Sequence, residues 1–478
     1  MSSNPSATPD QKVPSSILII GSGVFGLSTA DALCRRPEYA DTKIVVVDRL
    51  PFPAPDGASI DTSRIVRADY ANAAYAALGL EAQKHWRGEW GADNRYHEVG
   101  LCLTADAGQS EYVEKSLENV RALEFIEKTP ALAEPKPNGK AIESFSSHEE
   151  LTAVTGTGGA SGTMGYINRR SGWADAESSL RWLRKRVMAY KRVGFLSVGV
   201  EKLVFDPETG TVAGVELCDG NYLSADLIVL AAGAWSGSLI DLTGRVTATG
   251  QVLGYIEVTK QEAEALSQTP VQLNMSSGVF AIPPPHPEKI PQPPSQMGKG
   301  TLYLKIARHA WGYTNPTAIP HPEDASAGEL TVSLPHTKPD AAKASQPIPK
   351  EGEDDLRAFL QAIIPPSSPL ADIADRPFAF TRICHYADTP DGDFLIDYHP
   401  KYAKSLFIAT GGSGHGFKFL PVIGDKIVDC MQGNRPSEFT NKWAWKEAAM
   451  DEWSLDGSRS GSRGLILKDE LTKSGLEY

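Results

Sequence analysis

The chain has 478 residues, 41% of them hydrophobic and 22% charged, and a formal net charge of −12. The length predicts two or three domains, and the composition is that of a globular protein, not of a disordered one. The negative charge argues against general binding to nucleic acid or to anionic membranes. Five cysteines without metal-type spacing predict no metal site and a reducing compartment, the cytosol. The chain ends in GLEY, so we expect no C-terminal peroxisomal signal.

The first predicted element is a strand, helix and strand unit. SSILIIGSGVFGLSTADALCRR predicts a buried strand, a glycine turn and an amphipathic helix, and IVVVD at residues 44–48 predicts the next strand. Gly21, Gly23 and Gly26 form G-x-G-x-x-G after the first strand, and Asp48 ends the second. Such glycines bring a helix N-terminus close to a pyrophosphate, and such an acid accepts hydrogen bonds from a ribose hydroxyl. The unit predicts a dinucleotide site for FAD or NAD, with a ligand-free glycine turn as the alternative.

Two later segments predict further strands of the same sheet. They are ADLIVLAAGAW at residues 225–235 and SLFIATGGSGHGFKFLPVIGDKIVDCM at residues 405–431, where a second glycine loop opens a helix. Backbone N–H groups and a helix dipole at that loop favour FAD, because a reduced flavin gains negative charge. The alternative is a plain helix with a flexible cap.

Alternating stretches between these segments predict a second sheet. YHEVGLCLTA, TVAGVELCDG and GTLYLKIARH have the period of half-buried antiparallel strands. We assign residues 15–85, 160–245 and 375–440 to a discontinuous FAD-binding domain, and residues 86–159 and 246–374 to a substrate domain. Residues 1–14 are predicted as a disordered tail, and residues 441–478 as a C-terminal extension that is frayed from about residue 456. Two proline-rich segments, 282–297 and 334–351, are predicted as surface excursions.

Five motifs occur in a fixed order: GSGVFGLSTA, SRIVR, LKIARH, TRICHYADTPDGDFLID and GGSGHGFKFLP. Together they resemble the FAD-dependent amine oxidases typified by monomeric sarcosine oxidase, fructosyl amino acid oxidases (amadoriases), and fungal saccharopine and pipecolate oxidases. The match runs from about residue 15 to about residue 433. The resemblance implies an α/β fold with a Rossmann-like FAD-binding domain of the glutathione-reductase and D-amino-acid-oxidase type. It also implies a second, largely antiparallel domain, and a monomer that acts on an amino-acid-derived amine and O2.

The resemblance gives Cys384 a function. In the family, the cysteine of this motif is joined through sulfur to the flavin 8α-methyl group, and Tyr386 follows two residues later. From the residues alone, a thiolate is the only side chain in this stretch that is nucleophilic enough for such a bond. A buried, inert cysteine is the alternative.

Lys305 lies between Leu304 and Ile306 on a predicted strand, so it belongs either to a solvated face or to a functional site. By resemblance, this lysine lies near flavin N5, where its charge stabilises superoxide as O2 accepts its first electron. His309 matches an active-site histidine of the family, although a single histidine near a strand end is more often structural.

Arg64 and Arg67 are three residues apart, and a helical turn would present both side chains to one region. A solvated basic face is the alternative. By resemblance, Arg64 packs against the flavin and Arg67 binds the substrate carboxylate. Lys418 matches the second carboxylate ligand. The planar guanidinium of Arg67 and the ammonium group of Lys418 would then both contact one anion.

The resemblance also implies a larger set of cofactor contacts. These are Gly21, Gly23, Val24, Phe25, Gly26, Asp48, Arg49, Ser63, Arg64, Val200, Ala232, Gly233, Trp235, Cys384, Asp388, Gly412, Gly414, His415, Gly416, Phe417 and Lys418. Two positions depart from the sarcosine branch, because Ile60 replaces a histidine and Phe280 stands for an expected tyrosine. The departures suggest a pocket remodelled for a larger or more apolar amine.

The prediction is an oxidase of a secondary amine of an amino acid, N-alkyl, N-methyl or cyclic, which transfers hydride to flavin N5 and produces H2O2. Three alternatives stay open. One is a fungal secondary-metabolite oxidase whose iminium product closes a ring. The others are a flavin dehydrogenase that uses a protein electron acceptor, and a non-catalytic ligand-binding protein.

Overall fold

A computed structural model describes residues 13–126, 140–291, 300–337, 345–402, 404–449 and 456–478. Most of the predicted N-terminal tail, residues 1–12, lies outside these ranges, as do residues 292–299 and 338–344 of the proline-rich segments. In the described part of the chain, no helix has both the length and the apolar character that a membrane span requires.

Helices and strands alternate along the described chain. The helices are α1 (Val24–Arg35), α2 (Ala73–Trp86), α3 (Glu111–Ile126), α4 (His148–Thr155), α5 (Ala176–Ala189), α6 (Lys260–Leu266), α7 (Lys350–Ile363), α8 (Ala371–Asp375), α9 (Ile423–Met431) and α10 (Leu467–Lys473). The strands are β1 (Ser16–Ile20), β2 (Lys43–Asp48), β3 (Arg64–Val66), β4 (Tyr96–His97), β5 (Leu101–Ala105), β6 (Ile142–Phe145), β7 (Met164–Asn168), β8 (Gly172–Ala174), β9 (Val193–Ser197), β10 (Val200–Asp206), β11 (Thr211–Leu217), β12 (Tyr222–Ser224), β13 (Leu227–Leu230), β14 (Thr247–Val258), β15 (Val271–Asn274), β16 (Val279–Ile282), β17 (Leu302–Arg308), β18 (Tyr313–Thr314), β19 (Pro316–Pro320), β20 (Glu329–Ser333), β21 (Phe380–Asp388), β22 (Leu395–Tyr398), β23 (Leu406–Thr410) and β24 (Leu465–Ile466).

The first sheet is built from distant parts of the chain, in the order β22-β23-β13-β1-β2-β9. Its strands are parallel except for β22 at one edge. Apolar residues of α1, α5 and α9 form the core on one face, and residues of β10 and β11 cover the other. Because both faces are covered, the strands are apolar runs and do not alternate. This arrangement confirms the predicted discontinuous Rossmann-like sheet.

The second sheet has the order β24-β18-β14-β17-β16-β15-β5-β7-β6, and β21 also pairs with β14. Most of its pairs are antiparallel, whereas β5 with β15 and β18 with β24 are parallel. Helix α7 packs its apolar face against this sheet. The mixed, largely antiparallel sheet is confirmed, and the residue boundaries of the two domains stay a prediction.

The predicted fraying of the tail is wrong. Strand β24 pairs with β18, and α10 places Leu467 (0% exposed) and Leu471 (1% exposed) in the core that α7 covers. Two leucines four residues apart lie on one face of a helix, so this polar segment still has an apolar side to bury.

The second glycine loop also differs from the prediction, because α9 does not begin at the loop. A 3-10 turn at Phe417–Phe419 comes first, and α9 starts at Ile423. Pro421 lies between them and has no N–H to donate, which interrupts the hydrogen bonding of a continuous helix. The N–H groups close to the loop therefore belong to a tight turn.

Candidate active site

A cavity of about 260 Å³ opens at the carboxyl ends of β1, β2, β13 and β23, where parallel sheets bind their ligands. Most of the predicted cofactor contacts line it. They are Gly21, Gly23, Val24, Phe25, Asp48, Arg49, Arg64, Val200, Ala232, Gly233, Trp235, Gly412, Gly414, Gly416 and Phe417, and the predicted catalytic residue Tyr386 also lines it. The cavity will be called the cofactor cavity.

Close backbone packing brings α1 to this cavity. A Cβ atom at Gly26 would lie 1.9 Å from the carbonyl oxygen of Gly21, so Gly26 does not line the cavity but lets α1 pack against β1. Gly21 itself has φ +105°, which favours glycine. Gly23 caps α1 without a side-chain hydrogen bond, and the first turn holds no acidic residue. The helix N-terminus is therefore suited to a phosphate anion.

The charged side chains on the wall of the cofactor cavity have partners. Asp48 accepts hydrogen bonds from the N–H (2.7 Å) and the hydroxyl (2.6 Å) of Ser22. Arg49 pairs with Asp56, and its guanidinium lies 4.0 Å from the ring centroid of Trp235. Glycine backbone, apolar side chains and a carboxylate at the end of β2 together fit the phosphates, ring and ribose of FAD.

Cys384 lies on β21 beside this cavity and is 1% exposed. Its Sγ is 3.3 Å from Nη2 of Arg64. Alternate residues of a strand share a face, so Cys384 has the same orientation as Tyr386, which lines the cavity. Asp388, on the same face, accepts hydrogen bonds from Thr249 (2.5 Å) and from Arg459.

Five predicted cofactor contacts besides Gly26 do not line the cofactor cavity. They are Ser63, Cys384, Asp388, His415 and Lys418. Ser63 lines a smaller cavity of about 50 Å³, together with Trp173 and Asp175.

A buried ionic cluster adjoins the cofactor cavity. Nζ of Lys305 donates to Asp61 (2.6 Å) and to the carbonyl oxygen of Ser63 (2.7 Å). Asp61 is 0% exposed and also accepts from Arg64 and from the hydroxyl of Tyr255 (2.7 Å). Lys305 itself lines neither the cofactor cavity nor the cavity beside Arg67. The sequence analysis did not predict Asp61 as a site residue. The feature that could have indicated it is the position of this acid three residues before Arg64.

The charged groups of this cluster shift the pKa values of one another. Burial lowers the pKa of Lys305 to about 7, the attraction of Asp61 opposes that fall, and the repulsion of Arg64 adds to it. Burial alone would raise the pKa of Asp61, but the adjacent Arg64 and Lys305 bring it below its usual range. Asp61 is therefore ionised between two cations.

Arg64 and Arg67 do not face one region, so that prediction is wrong. The chain at Arg64–Val66 is strand β3, not a helical turn. Positions three apart on an extended chain point to opposite sides. Arg64 contacts Asp61 and Cys384, whereas Arg67 contacts Tyr112.

Arg67 borders a second cavity of about 330 Å³, which will be called the substrate cavity. Arg67 is 6% exposed, and its Nη1 is buried without a hydrogen-bond partner among the described residues. Its Nη2 lies 3.3 Å from the hydroxyl of Tyr112, and its Cζ lies 4.7 Å from the ring centroid of Tyr70. A buried guanidinium with a free N–H is suited to bind an anion.

Lys418 lies behind the wall of the substrate cavity. Its Nζ donates to the hydroxyl of Tyr70 (2.8 Å) and to the carbonyl oxygen of His415 (2.9 Å). Nε2 of His415 lies 2.9 Å from the carbonyl oxygen of Gly392 and must donate to it, so Nδ1 accepts from Tyr70 (3.1 Å). Burial and the nearby Arg67 hold the pKa of Lys418 well below its usual range. A bound anion would favour its charged form.

His309 and Arg459 complete another part of the substrate cavity. Burial, followed by the cations Arg459 and Arg67, holds the pKa of His309 well below its usual range, so the ring is neutral. Arg459 donates to the carbonyl oxygens of Ser413 (2.9 Å) and Ala310 (3.0 Å). The prediction missed Arg459, because nothing in the sequence relates residue 459 to the distant motifs.

Residues 16–430 of the chain match the family model described as FAD dependent oxidoreductase. The amino acid oxidase fsqB of Aspergillus fumigatus is 34% identical over 92% of this chain and 97% of its own length. The amino acid oxidase imqH of Aspergillus flavus is 33% identical over 87% of this chain and 92% of its own length. The crystal structure of the deglycating enzyme fructosamine oxidase (amadoriase II) from Aspergillus fumigatus has a TM-score of 0.72 and 28% identity, over 95% of this chain and 94% of that chain.

These similarities extend over most of the chain, and they confirm the predicted resemblance to FAD-dependent amine oxidases. The chain therefore belongs to the family of FAD-dependent oxidoreductases that includes the amino acid oxidases, and it is an enzyme of that family.

Proposed function

We propose that the enzyme is an FAD-dependent oxidase of a secondary amine carried by an amino acid. The substrate binds in the substrate cavity with its carboxylate on Arg67. Bound in the cofactor cavity, FAD would supply a two-electron acceptor for a hydride from the carbon next to the amine nitrogen, and the substrate would leave as an imine. Dioxygen then takes up the electrons and is released as H2O2.

The observation that carries this proposal is the state of Arg67. It is a buried cation with an N–H that has no partner among the described residues, and it lies on the wall of a cavity large enough for an amino acid. Leaving a buried charged donor unpaired costs several kcal/mol, on the order of the net gain from a charge-assisted hydrogen bond. A carboxylate would supply the missing acceptor bidentately.

Lys418 acts on the same anion through its charge. Burial and Arg67 lower its pKa, and a carboxylate on Arg67 would favour its protonated form, so Lys418 adds a positive charge to the cavity wall when the substrate binds. Tyr70 receives a hydrogen bond from Lys418 and donates to His415, so its ring is fixed beside the guanidinium of Arg67. Because the ring of Tyr70 is already fixed, little conformational entropy is lost when the substrate binds. A fixed wall also favours a single substrate orientation.

The amine must lose its proton before hydride leaves, because its lone pair assists that step. His309 is neutral in the substrate cavity and can accept a hydrogen bond from the amine. His309 and Arg67 both line the cavity, so the substrate can place its carboxylate on Arg67 and its amine on His309.

Cys384 would hold the cofactor through a thioether bond from its Sγ to the flavin 8α-methyl group. Forming this bond replaces an S–H and a C–H bond, and the two electrons and two protons released would pass through the flavin to dioxygen. The sulfur is buried beside the cofactor cavity and contacts the guanidinium of Arg64, a cation that accompanies a reactive thiolate in many enzymes. Lys305 supplies a positive charge for the reduction of dioxygen, and Asp61 and Arg64 surround it.

The proposal is tested by mixing the purified yellow enzyme anaerobically with sarcosine, N-methylated aromatic amino acids, pipecolate, saccharopine and fructosyl-lysine. Loss of the flavin absorbance with at least one compound, followed by H2O2 release under air, is the expected result. Reduction without H2O2 release would indicate a dehydrogenase with a protein acceptor. No reduction by any secondary or primary amino acid would contradict the proposal.

A further inference from the structure

Asp61 joins the second sheet to the segment before β3 at the cofactor cavity. It precedes β3, and it accepts hydrogen bonds from Lys305 on β17 and from Tyr255 on β14. Lys305 and Tyr255 are paired neighbours on adjacent strands, so their side chains lie on one face of the second sheet. Asp61 also accepts from Arg64 and from the N–H of Thr62 (2.7 Å). The carboxylate thus fixes one face of the second sheet against the segment that lines the cofactor cavity.

Among the described residues, Lys305 has two hydrogen-bond acceptors for its three N–H donors. An ammonium group has three N–H donors, and those of Lys305 bind Asp61 and the carbonyl oxygen of Ser63. Both acceptors belong to the segment before β3. The ammonium group is therefore held at two points, and its third N–H has a defined direction.

Asp61 is also the anion between two cations. Without its charge, Lys305 and Arg64 would repel each other in a buried environment, and Arg382 on β21 adds a further positive charge. A guanidinium stays protonated, so Lys305 would be the group to lose its proton. Cys384, Tyr386 and the hydroxyl of Tyr255 also face this cluster. So does Asp175, because burial raises its pKa to about 7 and the nearby Glu177 and Asp61 add to that rise.

We propose that Asp61 is a positioning residue that keeps the ammonium group of Lys305 charged and aims its third N–H for the reduction of dioxygen. This rests on the proposed function of Lys305. Asp61 does not line the substrate cavity but does hold Arg64 on the wall of the cofactor cavity, so we expect its loss to slow the oxygen reaction far more than reduction by the amine.

The test compares Asp61→Asn, Lys305→Met and the double variant with the wild type. Asp61→Asn keeps the shape and removes the charge. Asp69→Asn is the matched control, because Asp69 is also 0% exposed but accepts from the neutral side chains of Tyr166, Asn168 and Ser171. Tyr255→Phe removes one hydrogen bond from Asp61 and keeps its carboxylate, so it serves if Asp61→Asn does not fold.

Each enzyme is first reduced anaerobically by its substrate and then mixed with dioxygen. We expect Asp61→Asn to reoxidise about 100-fold more slowly than the wild type, within about threefold of Lys305→Met, and its rate of reduction to change by about threefold or less. The double variant should reoxidise no more slowly than Lys305→Met, because Asp61 acts through the charge of Lys305, which Lys305→Met has already removed. Reoxidation of the wild type should slow as pH rises past about 7, where Lys305 loses its proton, whereas Asp61→Asn should be slow from about pH 6 to about pH 9. With Tyr255→Phe, Asp61 stays ionised and loses one neutral donor, so it attracts Lys305 more strongly and the fall in the rate should begin at higher pH than in the wild type.

A second readout does not depend on turnover. Urea unfolding of the same four proteins gives the coupling between positions 61 and 305, and a shift in midpoint for Asp61→Asn that disappears in the Lys305→Met background shows that the two groups pair. Asp69→Asn should shift the midpoint and keep wild-type reoxidation.

The outcomes separate the two proposals. If Lys305→Met reoxidises like the wild type, the proposed oxygen function of Lys305 is wrong and the positioning role falls with it. If Lys305→Met is slow and Asp61→Asn reoxidises at the wild-type rate, only the inference about Asp61 is overturned. Additive losses in the double variant, or additive shifts in unfolding, would overturn it equally.

Discussion

The two cavities hold their charges differently. On the wall of the cofactor cavity, Asp48 is hydrogen-bonded to Ser22 and Arg49 is paired with Asp56. On the wall of the substrate cavity, Arg67 keeps a buried N–H without a partner among the described residues. When the charged side chains of a cavity are already paired, the ligand is recognised by the shape of the cavity and by backbone groups. Such recognition suits a cofactor that stays bound. An unpaired charge selects an anion that enters and leaves.

This difference has an energetic cause. A buried ion pair inside the protein is largely satisfied and contributes little further affinity for a ligand. A preorganised cation without a counterion gains a partner only when the ligand binds, so most of its interaction energy goes to binding. Under the proposed function, the cofactor cavity therefore retains its ligand and the substrate cavity exchanges its ligand.

The largest expected effect concerns retention. Cys384→Ala should release all of the FAD into the supernatant when the protein is precipitated with acid, whereas the wild type should keep its colour in the pellet. The folded variant should still bind FAD through the other contacts of the cofactor cavity. Cys102→Ala is the control, because Cys102 is equally buried but lies on β5. Identical behaviour of wild type and Cys384→Ala would remove the covalent bond from the account.

The next largest effect concerns the binding of a carboxylate in the substrate cavity. Arg67→Met should weaken the binding of a carboxylate without an amine, such as phenylacetate, by about 3 kcal/mol, on the order of 100-fold in Kd. FAD content should not change. The measurement is a titration of the flavin absorbance, with Arg245→Met as a control, because Arg245 contacts neither cavity and stacks on Trp445. Equal affinity in Arg67→Met and wild type would break the comparison between the cavities.

Packing at the start of α1 should give a smaller effect. Gly26→Ala forces a Cβ atom against the carbonyl oxygen of Gly21, and such overpacking costs about 1–3 kcal/mol of the free energy of unfolding. The FAD content of the purified variant should fall as well. Gly237→Ala is the control, since its added Cβ would meet no atom within 4 Å. Chemical unfolding followed by fluorescence measures the stability of the two variants. Equal free energies of unfolding for Gly26→Ala and Gly237→Ala would contradict the packing argument.

The smallest effect is a dependence of carboxylate binding on pH. Burial and Arg67 lower the pKa of Lys418, and a bound anion favours its protonated form. Affinity for phenylacetate should therefore be highest at low pH and fall as pH rises through the lowered pKa of Lys418, by at most about tenfold per pH unit. The dependence should be absent in Lys418→Met. A wild-type affinity that is constant with pH would show that Lys418 does not titrate on binding.

The sequence predicted the cofactor cavity far better than the substrate cavity. The glycine motif, Asp48 and the late glycine loop each carry a local pattern, and the ends of parallel strands bring such patterns together. The substrate cavity takes Arg67, Tyr112, His309 and Arg459 from segments with no common period. Only resemblance identified Arg67 and His309, and nothing pointed to Arg459.

Two misses have physical reasons. The spacing of Arg64 and Arg67 suits a helix, but the apolar pair Ile65 and Val66 between them pairs with β8 as a strand, which separates the two guanidinium groups. Asp61 looked like an ordinary turn acid, because its partners Lys305 and Tyr255 are distant in sequence. Buried ionic clusters of this kind become visible only when the sheets are assembled.

The central claim, that Arg67 receives a substrate carboxylate, is tested most directly with one substrate in two forms. Whichever amino acid reduces the flavin is compared with its primary amide in anaerobic titrations of the wild-type enzyme. The account predicts that the acid binds about 100-fold more tightly than the amide. Equal binding of acid and amide would contradict it.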